Sequence, residues 1–266
     1  MQTPKLTLRR PGVAQVTMAR PAVFNAFDEA MSGELDAAFA QLIEDEAARV
    51  VVLAGEGNHF SAGADLQWMQ RASLEWHVAD ARRFAGMLAG IASSPKPAVA
   101  RIHGAALGGG AGLASACDTA IAADSANFSV SEARFGILPA VIGPYVTHAV
   151  GTRQAQWQAR QQARQQALTT ERLNAADALA MGLVQRVVGP DDLDAAVDDT
   201  VQQLLAGGPN AQREIEALFA QLPVGPVTPE TIELAAQTIA RVRGSDEVRE
   251  GFSAFLSKRP AKWTPT

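Results

Sequence analysis

The 266-residue sequence predicts an α/β protein whose core is built from repeated strand–loop–helix units. Before residue 140, several short runs rich in Val, Ile and Ala end in glycine-containing loops that lead into stretches with helical periodicity. Continuous apolar runs of this kind are typical of strands that are covered on both faces of a parallel sheet. Beyond about residue 143 the periodicity is mainly helical, which predicts an α-helical region after the sheet.

The first part of the chain begins with a predicted hairpin. KLTLRR (5–10) and VAQVTMA (13–19) are separated by Pro11-Gly12, which is a turn signal. The buried run RVVVLAG (49–55) follows as the first strand of the predicted parallel sheet. Between the hairpin and this strand, apolar residues recur every three or four positions and predict a helix: Phe27, Met31, Leu35, Phe39 and Leu42.

Two more buried strands complete the predicted parallel sheet. PKPAVARIHG (95–104) and DTAIAAD (118–124) are both apolar, and GLVQRVV (182–188) is the only short strand candidate in the last hundred residues. QLLAGGPN (203–210) predicts the end of one helix and the start of the next. A second amphipathic helix before the first of these strands is predicted from five apolar residues: Leu74, Val78, Phe84, Leu88 and Ile91.

The composition argues against several functional classes. The net charge of −5 disfavours binding to nucleic acid or to an anionic membrane, and no apolar run approaches the ~20 residues that a membrane-spanning helix needs. Cys117 is the only cysteine, which excludes an internal disulfide and fits a reducing compartment. The start of the sequence lacks the features of a signal or transit peptide. We therefore expect a cytoplasmic protein that binds neither nucleic acid nor a membrane.

Two loops are candidates for chemistry. HFSAGAD (59–65) and HGAALGGG (103–110) each follow a buried strand, precede a helix and are rich in Gly and Ala. Without bulky side chains, both loops leave backbone N–H groups accessible, and two such groups that converge can hold a developing negative oxygen. A single loop of this kind is explained well enough as a tight turn. Two of them in successive strand–helix units favour a functional role.

Other chemistries require motifs that the sequence lacks. A dinucleotide-binding Gly-x-Gly-x-x-Gly, counted from Gly108 or Gly110, ends on Leu113 or Ser115 instead of glycine. The chain has neither the Gly-Lys-Ser/Thr of a P-loop nor a Gly-x-Ser-x-Gly nucleophile elbow. We expect no metal, because the four histidines do not have the spacing of metal ligands: His59, His77, His103 and His148.

One acidic residue stands out because its surroundings are apolar or small. Glu132 lies in NFSVSEARFGILPA (127–140). It either belongs to the start of a short helix after Ser131 or is a semi-buried carboxyl with a raised pKa, suited to acid–base catalysis. When Glu132 is considered alone, its place at the start of a short helix is the simpler interpretation.

Six segments, in this order, resemble the enoyl-CoA hydratase/isomerase (crotonase) superfamily across nearly the whole chain. They are RPAVFNAF (20–27), FSAGADL (60–66), PKPAVARIHGAALGGG (95–110), ACDTAIAADSANFSVSEARFGILP (116–139), LTTERLNAADALAMGLVQRVV (168–188) and EGFSAFLSKRPAKW (250–263). The resemblance implies a spiral of ββα units over residues 1–199. It also implies a helical C-terminal region, residues 200–266, that mediates assembly into a homotrimer or a hexamer formed as a dimer of trimers.

The resemblance also implies a site. An acyl-CoA thioester carbonyl would lie between the backbone N–H groups of Ala64 and Gly109, with Glu132 as the acid–base group. Coenzyme A would be part of the substrate, and no separate cofactor is expected. Eight further residues match positions that bind coenzyme A: Asn25, Ala26, Phe27, Ala62, Asp65, Leu66, Phe255 and Lys258.

Gly112 departs from the family pattern. Hydratases of this family use two glutamates, of which the second matches Glu132 and the first falls on Gly112. In one interpretation, Glu132 alone handles both proton transfers, with water ordered in the room beside Gly112. In another, the protein is a 3,2-enoyl-CoA isomerase, which needs one carboxylate. In a third, Gly112 is a packing glycine in an acyl-CoA protein with another reaction or with only a binding or scaffold role.

The sequence around Gly112 and Glu132 most resembles bacterial 3-methylglutaconyl-CoA hydratases of leucine catabolism, which favours hydration. A carboxylated substrate of that kind would need a cation, for which Arg71 and Arg134 are candidates. The Gln/Arg-rich run 158–167 contains about seven residues more than the family pattern. It places Arg160 and Arg164 on one helix face, and the simplest interpretation of that face is a solvated surface.

Overall fold

The computed structural model describes residues 4–70, 73–151, 156–222 and 227–264. Nine strands lie in this part of the chain: β1 (Lys5–Arg10), β2 (Gly12–Met18), β3 (Ala48–Gly55), β4 (Ala98–Ile102), β5 (Ala105–Leu107), β6 (Thr119–Ala123), β7 (Asn127–Ser129), β8 (Leu173–Asn174) and β9 (Arg186–Val188).

The same part of the chain contains eleven α-helices. They are α1 (Glu29–Glu44), α2 (Leu66–Met69), α3 (Leu74–Ala92), α4 (Gly109–Ala116), α5 (Gly143–Gly151), α6 (Gln156–Thr169), α7 (Ala175–Met181), α8 (Leu193–Ala206), α9 (Pro209–Phe219), α10 (Pro229–Arg243) and α11 (Asp246–Leu256). None of the described helices is both long and apolar enough to cross a bilayer.

The strands form two sheets. The larger has the order β1-β2-β3-β4-β6-β9, in which only the β1–β2 hairpin is antiparallel. The smaller has the order β5-β7-β8. The chain passes from β4 in the large sheet to β5 in the small one, and again from β6 to β7, so successive turns add one strand to each sheet. This topology confirms the predicted α/β class, including the hairpin and the three buried strands.

The packing of β3 explains why its sequence is continuously apolar. Val51 and Leu53 face a core that α1 and α3 cover, whereas Val50 and Val52 face a second core under α8. Because successive side chains of a strand point to opposite faces, both faces of β3 must be apolar.

The helix α1 matches its predicted pattern. The Asp28 side chain accepts a hydrogen bond from the Met31 amide at 3.0 Å and so caps the first turn. Four of the five predicted apolar residues lie in this helix and are buried, and the fifth, Phe27, lies just before it. In α3, Leu88 and Ile91 are buried but Val78 is 42% exposed, so only the second half of the predicted apolar stripe faces the core.

The C-terminal half departs from the predictions in two places. The two-residue strand β8 is present in addition to β9, which corresponds to the predicted GLVQRVV strand. The predicted division between residues 199 and 200 falls inside α8, where Val197 and Val201 are both buried against the large sheet. The structure therefore places α8 with the core, and the chain leaves it at Gly207-Gly208, where the predicted helix break is found.

Candidate active site

The two glycine-rich loops lie side by side. The Ser61 amide donates to the Ala105 carbonyl at 3.0 Å, and the Leu107 amide donates to the Ser61 carbonyl at 2.9 Å. A Cβ atom at Gly63, whose φ is +88°, would lie 2.7 Å from the Leu107 carbonyl oxygen and 2.9 Å from the Gly109 amide nitrogen. Gly63 is therefore required both by its left-handed backbone and by the closeness of the second loop.

The Ala64 N–H is directed away from the neighbouring segment that contains Phe27. Phe27 donates its N–H to the Gly63 carbonyl and accepts the Asp65 N–H at its carbonyl, both at 2.9 Å. Since alternate residues of an extended segment direct their N–H groups to opposite sides, that of Ala64 points away from Phe27. It has no hydrogen-bond partner in the described part of the chain, and Ala64 is partly exposed.

The Gly109 amide is the first of α4. N–H groups of the first helical turn have no acceptor within the helix, and here Gly112 is the first to bond back, to the Gly108 carbonyl at 3.1 Å. The positive φ of Gly108, +50°, turns the chain so that the Gly109 nitrogen lies next to Gly63. The fold thus places the Gly109 amide beside the segment that carries Ala64, at a helix N-terminus that favours negative charge.

A buried aromatic pair supports this loop from behind. Phe27 is 2% exposed, and its ring atom Cζ would lie 2.7 Å from a Cβ atom at Gly109. The Phe27 and Phe84 ring centroids are 5.3 Å apart. No side chain fits at position 109 unless this pair moves, so Phe27 positions the Gly109 amide.

Glu132 completes the site from the other side of the loop. It is the first residue of a short 3₁₀ helix, Glu132–Phe135, and its Oε1 atom would lie 3.2 Å from a Cβ atom at Gly108. Its Oε2 atom is buried without a hydrogen-bond partner in the described residues. Burial raises the pKa of the Glu132 carboxyl, against smaller opposite effects of backbone hydrogen bonds from Glu132 and Ser131. Both interpretations of Glu132 therefore hold: it begins a short helix, and it is a half-buried carboxyl with a raised pKa.

The space beside Gly112 is filled. A Cβ atom at this position would lie 2.8 Å from the Ile142 Cβ atom and still closer to its Cγ2 atom. Ile142 is 2% exposed, and the atoms that a Cβ at position 112 would meet include its Cβ atom, which moves only with its backbone. The expectation that Gly112 leaves room for an ordered water is therefore wrong, and Gly112 is a packing glycine. No spacing in the sequence links these two residues, which is why the contact is visible only in the structure.

Six of the predicted coenzyme A residues lie on two joined segments, 24–27 and 61–66. The Ala62 amide donates to the Phe24 carbonyl at 2.9 Å, and Asp65 accepts hydrogen bonds from the first amides of α2 while pairing with Arg20 at 3.2 Å. Leu66 is 41% exposed. Their contact with coenzyme A remains a prediction.

Asn25 differs from the other five residues in that its buried side chain is fully hydrogen-bonded within the protein. Its side chain is fully buried, accepts the Arg20 amide at 2.9 Å and donates to the carbonyls of Glu56 and His59 at 2.9 and 2.8 Å. Such a side chain has no surface left for a ligand. We therefore correct its predicted role from ligand contact to positioning: Asn25 ties the 24–27 segment to the end of β3.

Phe255 and Lys258 lie far from these loops in the single chain. Near the middle of α11, Gly251 packs on Trp263, whose carbonyl accepts a hydrogen bond from Arg49 at the beginning of β3. The two loops, in contrast, lie at the carboxyl ends of the parallel strands. Phe255 is 83% exposed. A role for these two residues at the site would require another copy of the chain.

The structure describes only one of the two arginines that were candidates for binding a substrate carboxylate. Arg71 lies outside the described residues. The side chain of Arg134 is described, and its Nε atom donates to the Thr170 hydroxyl at 2.8 Å. Among the described residues, no group of three or more His, Cys, Asp and Glu side chains is arranged to hold a metal ion.

Two neighbouring backbone amides and one desolvated carboxyl are the groups expected at a site for a carbonyl compound that gains or loses a proton next to its carbonyl group. The comparisons with known proteins agree with this class. The protein-family model for enoyl-CoA hydratase/isomerase matches residues 9–266, and the chain therefore belongs to the enoyl-CoA hydratase/isomerase family. It is an enzyme of this family with the crotonase fold.

Individual relatives cover nearly the full length. A probable enoyl-CoA hydratase of Rhizobium meliloti is 32% identical over 94% of both chains. A trans-2-decenoyl-[acyl-carrier-protein] isomerase of Streptococcus mutans is 31% identical over 95% of both chains. The crystal structure of an enoyl-CoA hydratase from Shewanella pealeana superimposes with a TM-score of 0.90 at 36% identity, covering 98% of this chain and 95% of that one.

Proposed function

We propose that this enzyme adds water to a 2-enoyl-CoA thioester and that Glu132 is its only acid–base group. One observation carries the proposal: a desolvated carboxyl lies against the glycine loop that presents the Gly109 amide next to the Ala64 segment. Coenzyme A enters the site as part of the substrate, so the reaction uses no separate cofactor.

The two amides supply the electrostatic part of the reaction. As water adds to C3 of the substrate, negative charge develops on the thioester oxygen, which accepts hydrogen bonds from Ala64 and Gly109. Removal of one such donor typically costs about 3–4 kcal/mol of transition-state stabilisation. Because both donors are backbone groups fixed by neighbouring hydrogen bonds, they need little reorganisation during the reaction.

Glu132 supplies the proton transfers. Its carboxylate takes a proton from the attacking water while the water oxygen bonds to C3, and the resulting carboxylic acid gives that proton to C2. The product is a 3-hydroxyacyl-CoA, with all atoms of water retained. A raised pKa suits this double role because the base is stronger than an ordinary glutamate and its conjugate acid still gives up the proton.

A second candidate is 3,2-enoyl-CoA isomerisation, which the contact between Gly112 and Ile142 favours. In that reaction Glu132 would take a proton from C2 of a 3-enoyl-CoA and return it at C4. No second carboxylate is needed, and the apolar Ile142 beside Gly112 offers none. The isomerase relative of Streptococcus mutans supports the same possibility, whereas the hydratase relatives favour hydration.

The specific substrate that we propose is a branched, carboxylated enoyl-CoA such as 3-methylglutaconyl-CoA, an intermediate of leucine catabolism. The resemblance of the segments around Gly112 and Glu132 to bacterial hydratases of that substrate supports this choice.

We further propose that the chain works in the cytoplasm as a homotrimer or a dimer of trimers. Large apolar side chains that are exposed on the last three helices support assembly, since other copies would cover them: Ile215, Phe219, Ile232, Ile239, Phe252, Phe255 and Leu256. In this assembly, Phe255 and Lys258 would reach the coenzyme A site of another copy.

A paired assay tests the reaction. Purified enzyme and its Glu132→Gln variant are given crotonyl-CoA and 3-methylglutaconyl-CoA, and loss of the conjugated thioester absorbance is followed. A 3-enoyl-CoA is followed for gain of that absorbance. We expect hydration by the wild type and a loss of about 10²-fold or more in the variant. Glu171→Gln, at an exposed position, is the control.

Isomerisation without hydration would show that the enzyme is a 3,2-enoyl-CoA isomerase and not a hydratase. Absence of both reactions, or hydration that survives unchanged in Glu132→Gln, would show that the proposed function is wrong.

A further inference from the structure

A cavity of about 190 Å³ lies beside the proposed site, between α5, α6 and the segment that leads to Glu132. This volume accommodates roughly six groups the size of water, whose share of liquid volume is about 30 Å³. The wall is mainly apolar and includes Val130, Pro139, Ile142, Val146, Ala163 and Ala167. A chain of a few carbon atoms therefore fits it in both size and polarity.

Two residues of the cavity wall lie next to elements that carry the proposed site. Val130 lies two residues before Glu132, and Ile142 is the side chain that packs against Gly112 on α4. An acyl chain whose thioester oxygen is held at the N-terminus of α4 can thus extend its far end toward this cavity.

Among the described residues of the cavity wall, Arg164 is the only charged one. It belongs to α6, where it shares one side of the helix with Ala163 and Ala167, and it has no ion-pair or hydrogen-bond partner in the described part of the chain. It also lies within the Gln/Arg-rich run 158–167, which the proposed reaction does not use. Arg134, in contrast, donates its Nε–H to Thr170 and is not part of the wall.

We infer that Arg164 binds a carboxylate at the far end of the acyl chain, so that the enzyme selects coenzyme A monothioesters of short dicarboxylic acids. A guanidinium presents paired donors that match a carboxylate. Arg164 is exposed, so it discriminates by attracting the carboxylate and not by a penalty on a neutral chain end. This inference rests on the proposed function and names the residue that selects its carboxylated substrate.

Two substrates of equal shape test the inference. Glutaconyl-CoA ends in a carboxylate, and 5-methyl-2-hexenoyl-CoA ends in an isopropyl group of similar size. Values of kcat/KM for both are measured with wild type, Arg164→Gln, Arg164→Lys and the control Arg172→Gln, which removes a charge from an exposed residue outside the cavity wall.

We expect the wild type to prefer glutaconyl-CoA and Arg164→Gln to lower that preference by about tenfold to hundredfold, the range of a charge-assisted hydrogen bond. Arg164→Lys should keep part of the preference and Arg172→Gln all of it. A preference that is unchanged in Arg164→Gln, or a wild type that prefers the neutral substrate, would overturn the inference.

A binding measurement separates this inference from the proposed reaction. Glutaryl-CoA and 5-methylhexanoyl-CoA have no double bond, and their affinities are measured by calorimetry with the same variants. If the wild type hydrates neither the two enoyl substrates nor crotonyl-CoA and 3-methylglutaconyl-CoA, the proposed hydration fails, and a glutaryl-CoA preference that depends on Arg164 would still support the carboxylate site. Equal affinity of wild type and Arg164→Gln for glutaryl-CoA would overturn it.

Discussion

At the scale of single residues, the proposed acid–base chemistry depends on Glu132 alone. Gly112 lies where the family's hydratases carry a glutamate, but Ile142 takes the space that any side chain there would need. Glu132 is the proposed acid–base group beside the glycine loop; burial raises its pKa, and its Oε2 atom has no hydrogen-bond partner among the described residues. The sequence identified both positions, whereas the identity of the neighbour at Gly112 required the structure.

Substitution of Gly112 tests the packing interpretation. We expect Gly112→Ala to lower the free energy of unfolding by roughly 1–3 kcal/mol, the usual cost of an extra methyl group in a filled core. Urea unfolding measures this change.

The control for this substitution is Gly33→Ala in α1, where an added Cβ atom meets nothing within 4 Å. It should be neutral or stabilising by up to about 1 kcal/mol, because alanine is the better helix former. An equal change in the free energy of unfolding for Gly112→Ala and Gly33→Ala would contradict the contact between Gly112 and Ile142. Addition of Ile142→Ala should partly rescue Gly112→Ala.

The raised pKa of Glu132 predicts a pH dependence. Hydration begins with the carboxylate, so kcat/KM should rise with pH through the pKa of Glu132, which lies above the ordinary value of a glutamate. The folded state holds this proton more tightly than the unfolded state, so the stability that protonated Glu132 contributes is lost as pH rises through that pKa.

Glu132→Gln should therefore abolish the acid limb of the kcat/KM profile and reduce the loss of stability between acidic and neutral pH. Activity profiles and thermal unfolding at several pH values measure both effects. An acid limb at the ordinary pKa of a glutamate would contradict the burial of Glu132.

At the scale of elements, short segments around the site are fixed by their neighbours. Strands and long helices are predictable because their apolar periodicity is strong over many residues, as in β3 and α1. Phe27 was predicted as a helix residue, yet it lies before α1 because its backbone pairs with Gly63 and Asp65. β8 has two residues and therefore no periodicity to detect. The secondary structure of such short segments depends on tertiary contacts, which the spacing of apolar residues in the sequence does not reveal.

Asn25 offers a test at this scale. Its side chain makes three hydrogen bonds and its φ is +54°, a conformation that asparagine tolerates better than most residues. We expect Asn25→Ala to destabilise the enzyme by roughly 2–4 kcal/mol, since buried polar groups lose their partners. It should also lower kcat, because Phe27 and Gly63 would no longer hold the Ala64 amide in place.

Thermal unfolding and steady-state kinetics measure these effects of Asn25→Ala. Asn58→Ala, at an exposed neighbouring position, is the control and should change stability by no more than about 0.5 kcal/mol. A variant at position 25 that loses affinity for coenzyme A but keeps full stability would instead restore the ligand-contact role.

At the scale of the whole molecule, the alternation of the chain between two sheets places the loops together. β4 leads into β5, and the Ala105 and Leu107 backbones of β5 pair with Ser61 of the other loop. The α/β class and the buried strands were predictable because each of these strands is a continuous apolar run. The single-chain distance between α11 and the loops was not, since it depends on how Trp263 and Arg49 join the end of the chain to β3.

The exposed apolar side chains of the last three helices predict that the chain assembles into an oligomer. We expect light scattering to give a mass of three or six copies in solution, because seven large apolar side chains on α9, α10 and α11 are exposed in the single chain. Phe252→Asp should shift the enzyme toward smaller species and weaken substrate binding. Gln202→Asp, on the exposed side of α8, should do neither. A monomeric, fully active wild type would contradict the proposed assembly.

The most direct test of the central claim is hydrogen exchange at C2 of a saturated substrate, which requires the amide pair and Glu132 but neither water addition nor double-bond migration. Butyryl-CoA in D₂O is followed by NMR with wild type, Glu132→Gln and the control Glu171→Gln. We expect exchange at C2 by the wild type and the control, and a loss of about 10²-fold or more in Glu132→Gln. Exchange that is equally fast in Glu132→Gln would show that another group moves the proton and that Glu132 is not the acid–base group.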